Sequence, residues 1–156
     1  SLMNVMDRLH KEGVNAYLFI AGDGDMQQEI EKRKTDYILP VGRIDFEHII
    51  ALLKESDIFC LPSFSEGFST SILEASACDC YIVTTARGGA KELLINEDYG
   101  CVIPNNKEEI LYKALLETIN DSDKRKKGVE LTYKMIEDHF TWKIVAKQVE
   151  AICEEK

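Results

Sequence analysis

Short apolar runs of strand length alternate along this chain with longer stretches whose apolar residues recur at helical spacing. Residues 3–12 read as a helix with Val5, Met6 and Leu9 on one face. Residues 16–21 form a short continuous apolar run, as expected of a strand buried on both sides. A polar helix over 26–34 and a strand over 37–41 follow, then a helix ending near 55 with Asp45 as its cap. The alternation continues with a strand over 58–61, a helix over 70–78, a strand over 80–84, a helix over 89–95 and a strand over 100–103. Helices over 107–120, 124–138 and 142–154 close the chain, the last anchored by Trp142. Strands alternating with helices predict a Rossmann-like three-layer α/β/α domain with a parallel sheet of about six strands. No repeat, low-complexity tract or linker interrupts it, so residues 1–156 read as one domain.

Composition narrows the function more than the fold. The chain is 45% hydrophobic and 30% charged, with a formal net charge of -9. That balance argues against nucleic-acid binding, which rests on a basic face, and against broad attraction to anionic lipid. The one basic cluster, Lys124-Arg-Lys-Lys127, follows Asp121-Ser-Asp123 and reads as a solvated helix face. Five cysteines make an odd count for a disulfide framework. Cys60, Cys80 and Cys101 sit in apolar runs, where a thiol behaves as a small buried hydrophobe. Cys78-Asp79-Cys80 lacks the spacing of a zinc pair, and His10, His48 and His139 share no motif. A reduced, cytoplasmic protein without a metal site is the expectation. No run approaches the roughly 18 apolar residues of a membrane span. Ser1-Leu2 opens without an initiator Met, which suggests a piece cut from a longer polypeptide.

The densest chemistry lies in Pro62-Ser-Phe-Ser-Glu66-Gly67-Phe68-Ser69-Thr70-Ser-Ile-Leu-Glu74-Ala75, directly after the strand at 58–61. In open α/β sheets ligands bind at the carboxyl ends of strands, beside the next helix. Free N–H groups at such a helix start attract phosphate. Glu66 and Glu74 would repel phosphate but can accept hydrogen bonds from sugar hydroxyls, as an acidic residue does from ribose in dinucleotide folds. Phosphate on the amides and hydroxyls on the carboxylates together describe a nucleotide sugar.

The same stretch resembles the donor-binding signature of retaining glycosyltransferases of the glycosyl transferase group 1 class (glycosyltransferase family 4, GT-B fold). Further segments agree in order. Leu18-Phe-Ile-Ala-Gly22-Asp-Gly24 resembles the family's strand ending in a Gly-x-Gly turn, and Val41-Gly-Arg43-Ile44 its next strand end. Ala86-Arg-Gly-Gly-Ala-Lys-Glu92 resembles its Gly-Gly-x-x-Glu turn, and Phe140-Thr-Trp142 its closing aromatic motif. The resemblance covers nearly the whole chain. It implies the C-terminal, donor-binding half of an enzyme that moves a hexosyl unit from a UDP- or GDP-linked sugar to a saccharide or lipid-linked acceptor, with retention. Polysaccharide biosynthesis is the implied setting. No cofactor or metal is implied for donor binding.

By this resemblance Glu66 is the catalytic-site carboxylate facing the donor sugar or its phosphates, and Glu74 holds both ribose hydroxyls. Gly67, Phe68, Ser69 and Thr70 would bring backbone amides to the diphosphate, with Gly67 permitting close approach. Gly22 and Gly24 would line the nucleotide side, and Arg43 and Ile44 would meet the base. Each has a plainer reading: a tight turn for Gly22 to Gly24, a surface residue for Arg43 and also for Arg87, a solvent-facing carboxylate for Glu66. Glu74 would cap its own helix if that helix began at Ser71, through the capping box Ser71-Ile-Leu-Glu74. A start at Ser69 or Thr70 frees it for ligand. Ser69, Asp79 and Cys80 depart from the family, which usually has glycine, glycine and proline there. The family's phosphate-contacting Arg and Lys lie just upstream of this chain, and the N-terminal acceptor domain is missing. Weak donor binding and no transfer are therefore expected of the 156 residues alone. The resemblance also allows peripheral attachment at the inner face of a membrane, through the missing domain. Two other classes remain at this point: half of a GT-B nucleotide-sugar epimerase, or a nucleotide-binding module without catalysis.

Overall fold

The computed structural model describes residues 2–63, 67, 69–86 and 88–154. Strands and helices alternate as the apolar pattern predicts, and all strand pairing is parallel. The amino-terminal half comprises α1 (Leu2–Lys11), β1 (Leu18–Ala21), α2 (Gln27–Lys32), β2 (Ile38–Gly42) and α3 (Phe46–Lys54). Next come β3 (Ile58–Leu61), α4 (Thr70–Ala77), β4 (Tyr81–Thr85), α5 (Ala90–Leu93) and β5 (Cys101–Ile103). Three helices finish the chain: α6 (Glu108–Asn120), α7 (Ser122–His139) and α8 (Trp142–Glu154). Among the described residues five strands form two pairings, β1 with β2, and β3 with β4 with β5. The expectation of one parallel sheet of about six strands is met in direction and layering, while the described strands number five and fall into two groups.

Two cores lie on opposite faces of the strands. One gathers Val5, Met6 and Leu9 of α1 and Leu111 and Leu115 of α6 over Ile38, Tyr81, Val83 and Ile103, so it spans both strand groups. The other gathers Leu53, Ile72, Ala75, Leu93 and Phe140 against Cys80 and Ile82. Every residue of β4 is buried, as expected of a central parallel strand. Helix ends follow their local chemistry. The Asp45 carboxylate accepts from the His48 N–H (3.0 Å), and that of Asp121 accepts from the Lys124 N–H (2.9 Å). Arg125, in the basic cluster, donates to the carbonyls of Thr118 and Ile119 at the end of α6, both at 2.7 Å. Lys127 pairs with Asp98.

Trp142 corrects an expectation. Its side chain is 88% exposed and belongs to neither core, while Phe140, two residues earlier, packs into the second core. A tryptophan opening an amphipathic helix marks an apolar stripe, but the pattern alone does not say what covers it.

The turn after α4 explains one departure noted above. The Cys80 N–H donates to the Ala75 carbonyl (3.0 Å) and the Asp79 N–H to Ser76 (3.3 Å), the paired bonds of a Schellman ending. Its left-handed position is Asp79, at φ 65. Glycine takes that conformation without a Cβ penalty. Asp79→Gly is therefore expected to raise stability by about 0.5–1 kcal/mol, read as a higher midpoint in urea unfolding.

All five cysteines are free thiols. Cys80 is buried and donates to the Leu53 carbonyl at 3.1 Å. Burial pushes the thiols of Cys60 and Cys80 up to about 12 and raises that of Cys101. Thiolate is the reactive form. Iodoacetamide on the native protein at pH 8 is expected to alkylate exposed Cys153 first, with Cys60 and Cys80 reacting only after unfolding, as peptide mass spectrometry would read. Among the described residues no cluster of His, Cys, Asp and Glu is placed to hold a metal.

Candidate donor site

The carboxyl ends of both strand groups point the same way. Asn4 of α1 donates to Glu108 at the start of α6 (2.7 Å), and Arg8 bonds Glu109 (2.7 Å). Helix α6 starts beyond the carboxyl end of β5, so α1 begins at that level too and runs down to the start of β1. The predicted site residues that the structure describes all lie along this one edge, in two groups.

The first group is the pair of turns after β1 and β2. The Gly22 N–H donates to the Gly42 carbonyl at 2.8 Å, which ties the turns together. Gly22 sits at φ 129 and Gly42 at φ 65, backbone that a side chain would strain. A cavity of about 240 Å³ opens beneath them, lined by Ile20, Gly22, Gly24, Met26, Ile30 and Pro40. Arg43 is exposed, with its guanidinium 3.7 Å from the Asp23 carboxylate, and Ile44 is half-buried. Arg43 thus carries a local counter-charge.

The second group surrounds the start of α4. That helix begins at Thr70 with Ser69 as its cap residue, and the Ser69 and Ser71 hydroxyls lie 2.8 Å apart. The capping-box reading of Glu74 required a start at Ser71, so its carboxylate is released from that role. Glu74 is half-buried and makes no side-chain hydrogen bond or ion pair among the described residues. Gly67 and Thr70 are exposed, and Ser69 is half-buried. Glu66, Phe68 and Arg87 lie outside the described residues.

Three residues that sequence reasoning passed over hold this group in place. The buried Thr85 hydroxyl donates to the Ser63 carbonyl (2.6 Å), and that of Thr84 donates to Leu61 (2.9 Å). The Asn106 amide donates to the Pro62 carbonyl at 3.2 Å. These bonds fix the carboxyl end of β3 where the loop departs. The Gly89 N–H donates to the Gly67 carbonyl (3.2 Å), joining that loop to the glycine turn after β4. Two adjacent threonines ending an otherwise apolar strand were the available signal. Glu92, the acidic end of that turn motif, is exposed.

Such an edge, with amides at a helix start, a half-buried carboxylate and glycine turns across from it, is the ligand edge of an open α/β domain. The family model for glycosyl transferases group 1 matches residues 1–135, and the chain belongs to that family. It is 30% identical over 142 residues to an uncharacterized glycosyltransferase of Methanocaldococcus jannaschii, covering 88% of this chain and 36% of that one. It is also 30% identical over 149 residues to a Campylobacter jejuni alpha-1,4-N-acetyl-D-galactosaminyltransferase, covering 91% and 40%. Sucrose-phosphate synthase from Thermosynechococcus elongatus shares the fold, with a TM-score of 0.84 at 19% identity over 99% of this chain and 41% of that one. The chain spans well under half the length of these relatives. Membership in this family supports a glycosyltransferase rather than an epimerase half or a module without catalysis.

Proposed function

We propose that this chain is the donor-binding domain of a retaining hexosyltransferase of glycosyltransferase family 4, whose acceptor domain lies elsewhere in the same polypeptide. The observation that carries this reading is Glu74: a half-buried carboxylate with no hydrogen-bond or ion-pair partner among the described residues, on the first turns of α4, at the ligand edge. A ribose diol is the group that such a carboxylate accepts hydrogen bonds from. Amides from Gly67 to Thr70 take the diphosphate, Gly22 and Gly24 line the nucleoside side, and Arg43 and Ile44 meet the base. Glu66 faces the sugar. Bond cleavage then relies on positioning and on stabilising the departing diphosphate. The donor is UDP- or GDP-linked, the acceptor is a saccharide or a lipid-linked saccharide, and no cofactor takes part. Among the described residues no helix is long and apolar enough to cross a membrane. A cytoplasmic enzyme attached peripherally through its other domain fits that observation.

The test is a titration with UDP and with GDP, followed by amide NMR on the full-length polypeptide. Perturbation confined to Gly22, Gly24, Arg43, Ile44 and residues 66–74 for one of the two nucleotides is expected. Saturable perturbation centred elsewhere, or none for either nucleotide at millimolar concentration, overturns the assignment. The 156 residues alone are expected to transfer no sugar; detectable transfer by them would refute that part.

A further inference from the structure

Two side chains at the ligand edge are paired without being used up. Asp23 sits between Gly22 and Gly24 in the turn after β1, and Arg43 directly follows Gly42 at the end of β2. The bond from the Gly22 N–H to the Gly42 carbonyl locks these turns together, so the two charges rise from one fixed base. Their closest approach is 3.7 Å, beyond the roughly 2.7–3.2 Å of an N–H···O hydrogen bond. Among the described residues neither side chain has another hydrogen bond or ion pair. An exposed pair of this kind adds little stability, so opening it to admit a ligand costs little.

Asp45, the carboxylate two residues beyond Arg43, is already engaged. Its Oδ1 accepts from the His48 N–H and lies 2.6 Å from His48 Nδ1. Asp23 instead lines the cavity of about 240 Å³, beside Met26, Ile30 and Pro40. A carboxylate next to a guanidinium, at the rim of an apolar space, offers hydrogen-bond acceptors on one side and donors on the other.

Nucleobase edges differ in how they meet such a pair. Guanine carries two adjacent donors, N1–H and the N2 amine, beside two acceptors, O6 and N7. A carboxylate can take both donors while a guanidinium serves O6, or O6 and N7 together. Uracil has one donor, N3–H, flanked by two carbonyls. A carboxylate that accepts from N3–H sets its second oxygen against a carbonyl lone pair. We propose that the Asp23–Arg43 pair reads the base edge of the donor nucleotide and selects guanine over uracil, so that the donor is a GDP-linked sugar. This rests on the assignment of the donor site to this edge.

Competition calorimetry on the full-length polypeptide with GDP, inosine diphosphate and UDP tests this. GDP is expected to bind about 10- to 100-fold more tightly than UDP, the range for one bidentate contact to a base. Inosine diphosphate lacks only the N2 amine and is expected to fall between them. Asp23→Asn keeps the shape at an exposed position, so the fold should be unaffected. It sets an amide N–H₂ against the N2 amine, and should weaken GDP about tenfold or more while leaving UDP within about threefold. UDP binding as tightly as GDP, with amide shifts at Gly22, Gly24 and residues 66–74, would leave the donor site in place and overturn the guanine assignment. A preference for GDP that survives Asp23→Asn overturns it too, because the discrimination then lies elsewhere. Binding of neither nucleotide at this edge removes the donor site, and this proposal with it.

Discussion

Glu74→Gln in the full-length enzyme is expected to weaken nucleotide binding by about 10- to 100-fold, the range for one or two hydrogen bonds to a charged acceptor. Titration calorimetry with the preferred nucleoside diphosphate would read it. The substitution keeps the shape and removes the charge, so it separates the two roles this residue could have. In a capping box glutamine serves as well as glutamate, and only Glu74→Ala would lower stability, by about 1 kcal/mol. Because α4 begins at Thr70, with Ser69 ahead of it, no such box is present. Both variants should therefore unfold within about 0.5 kcal/mol of the parent, while both lose affinity. Parent-like affinity in both variants would remove Glu74 from the site. Lost stability in the alanine variant alone would return it to the helix.

The contrast with Glu74 shows what the sequence could convey. Element identity and order were legible because each strand is a short apolar run and each helix carries its own period. Asp45 capping α3 was legible for the same local reason, a carboxylate three residues ahead of the amide it accepts from. The division of the strands was not, because an edge strand and an interior strand can present the same apolar run. Ile58 to Leu61 reads as a buried strand whether or not β3 has a second neighbour. Nor were Thr84, Thr85 and Asn106 legible as supports of the loop after β3. Their bonds join residues between 22 and 44 positions apart, and no periodicity encodes such a pairing. Trp142 failed for a related reason: an aromatic residue on an amphipathic helix reports an apolar stripe, while its cover depends on what else is present.

Gly128→Ala is expected to destabilise the domain, against the sign that helix propensity predicts. In an exposed helix interior the change would gain about 1 kcal/mol. Gly128 is buried in α7, and a Cβ there would lie 2.5 Å from Cε2 and 2.8 Å from Cδ2 of Tyr81. That ring is 1% exposed, at the head of the fully buried β4, so it has little room to move. Overpacking of this kind costs typically about 1–3 kcal/mol, occasionally more. At the upper end of that range it exceeds the propensity gain, leaving a net loss of about 1–2 kcal/mol and a fall of roughly 2–8 °C in Tm. Tyr81→Phe distinguishes ring overlap from loss of the hydroxyl. The Tyr81 Oη is buried without a hydrogen-bond partner among the described residues, and burial pushes the phenol up to about 12. Deleting an unsatisfied buried hydroxyl is near neutral or stabilising, so Tyr81→Phe should leave Tm unchanged or raise it. It keeps both ring carbons, so Gly128→Ala should cost as much in the phenylalanine background as in the parent. Tyr81→Leu, which removes the ring edge, should recover part of that cost relative to its own glycine background. Equal costs in all three backgrounds would locate the strain instead at the Asp98 carbonyl, 3.1 Å from the same Cβ position.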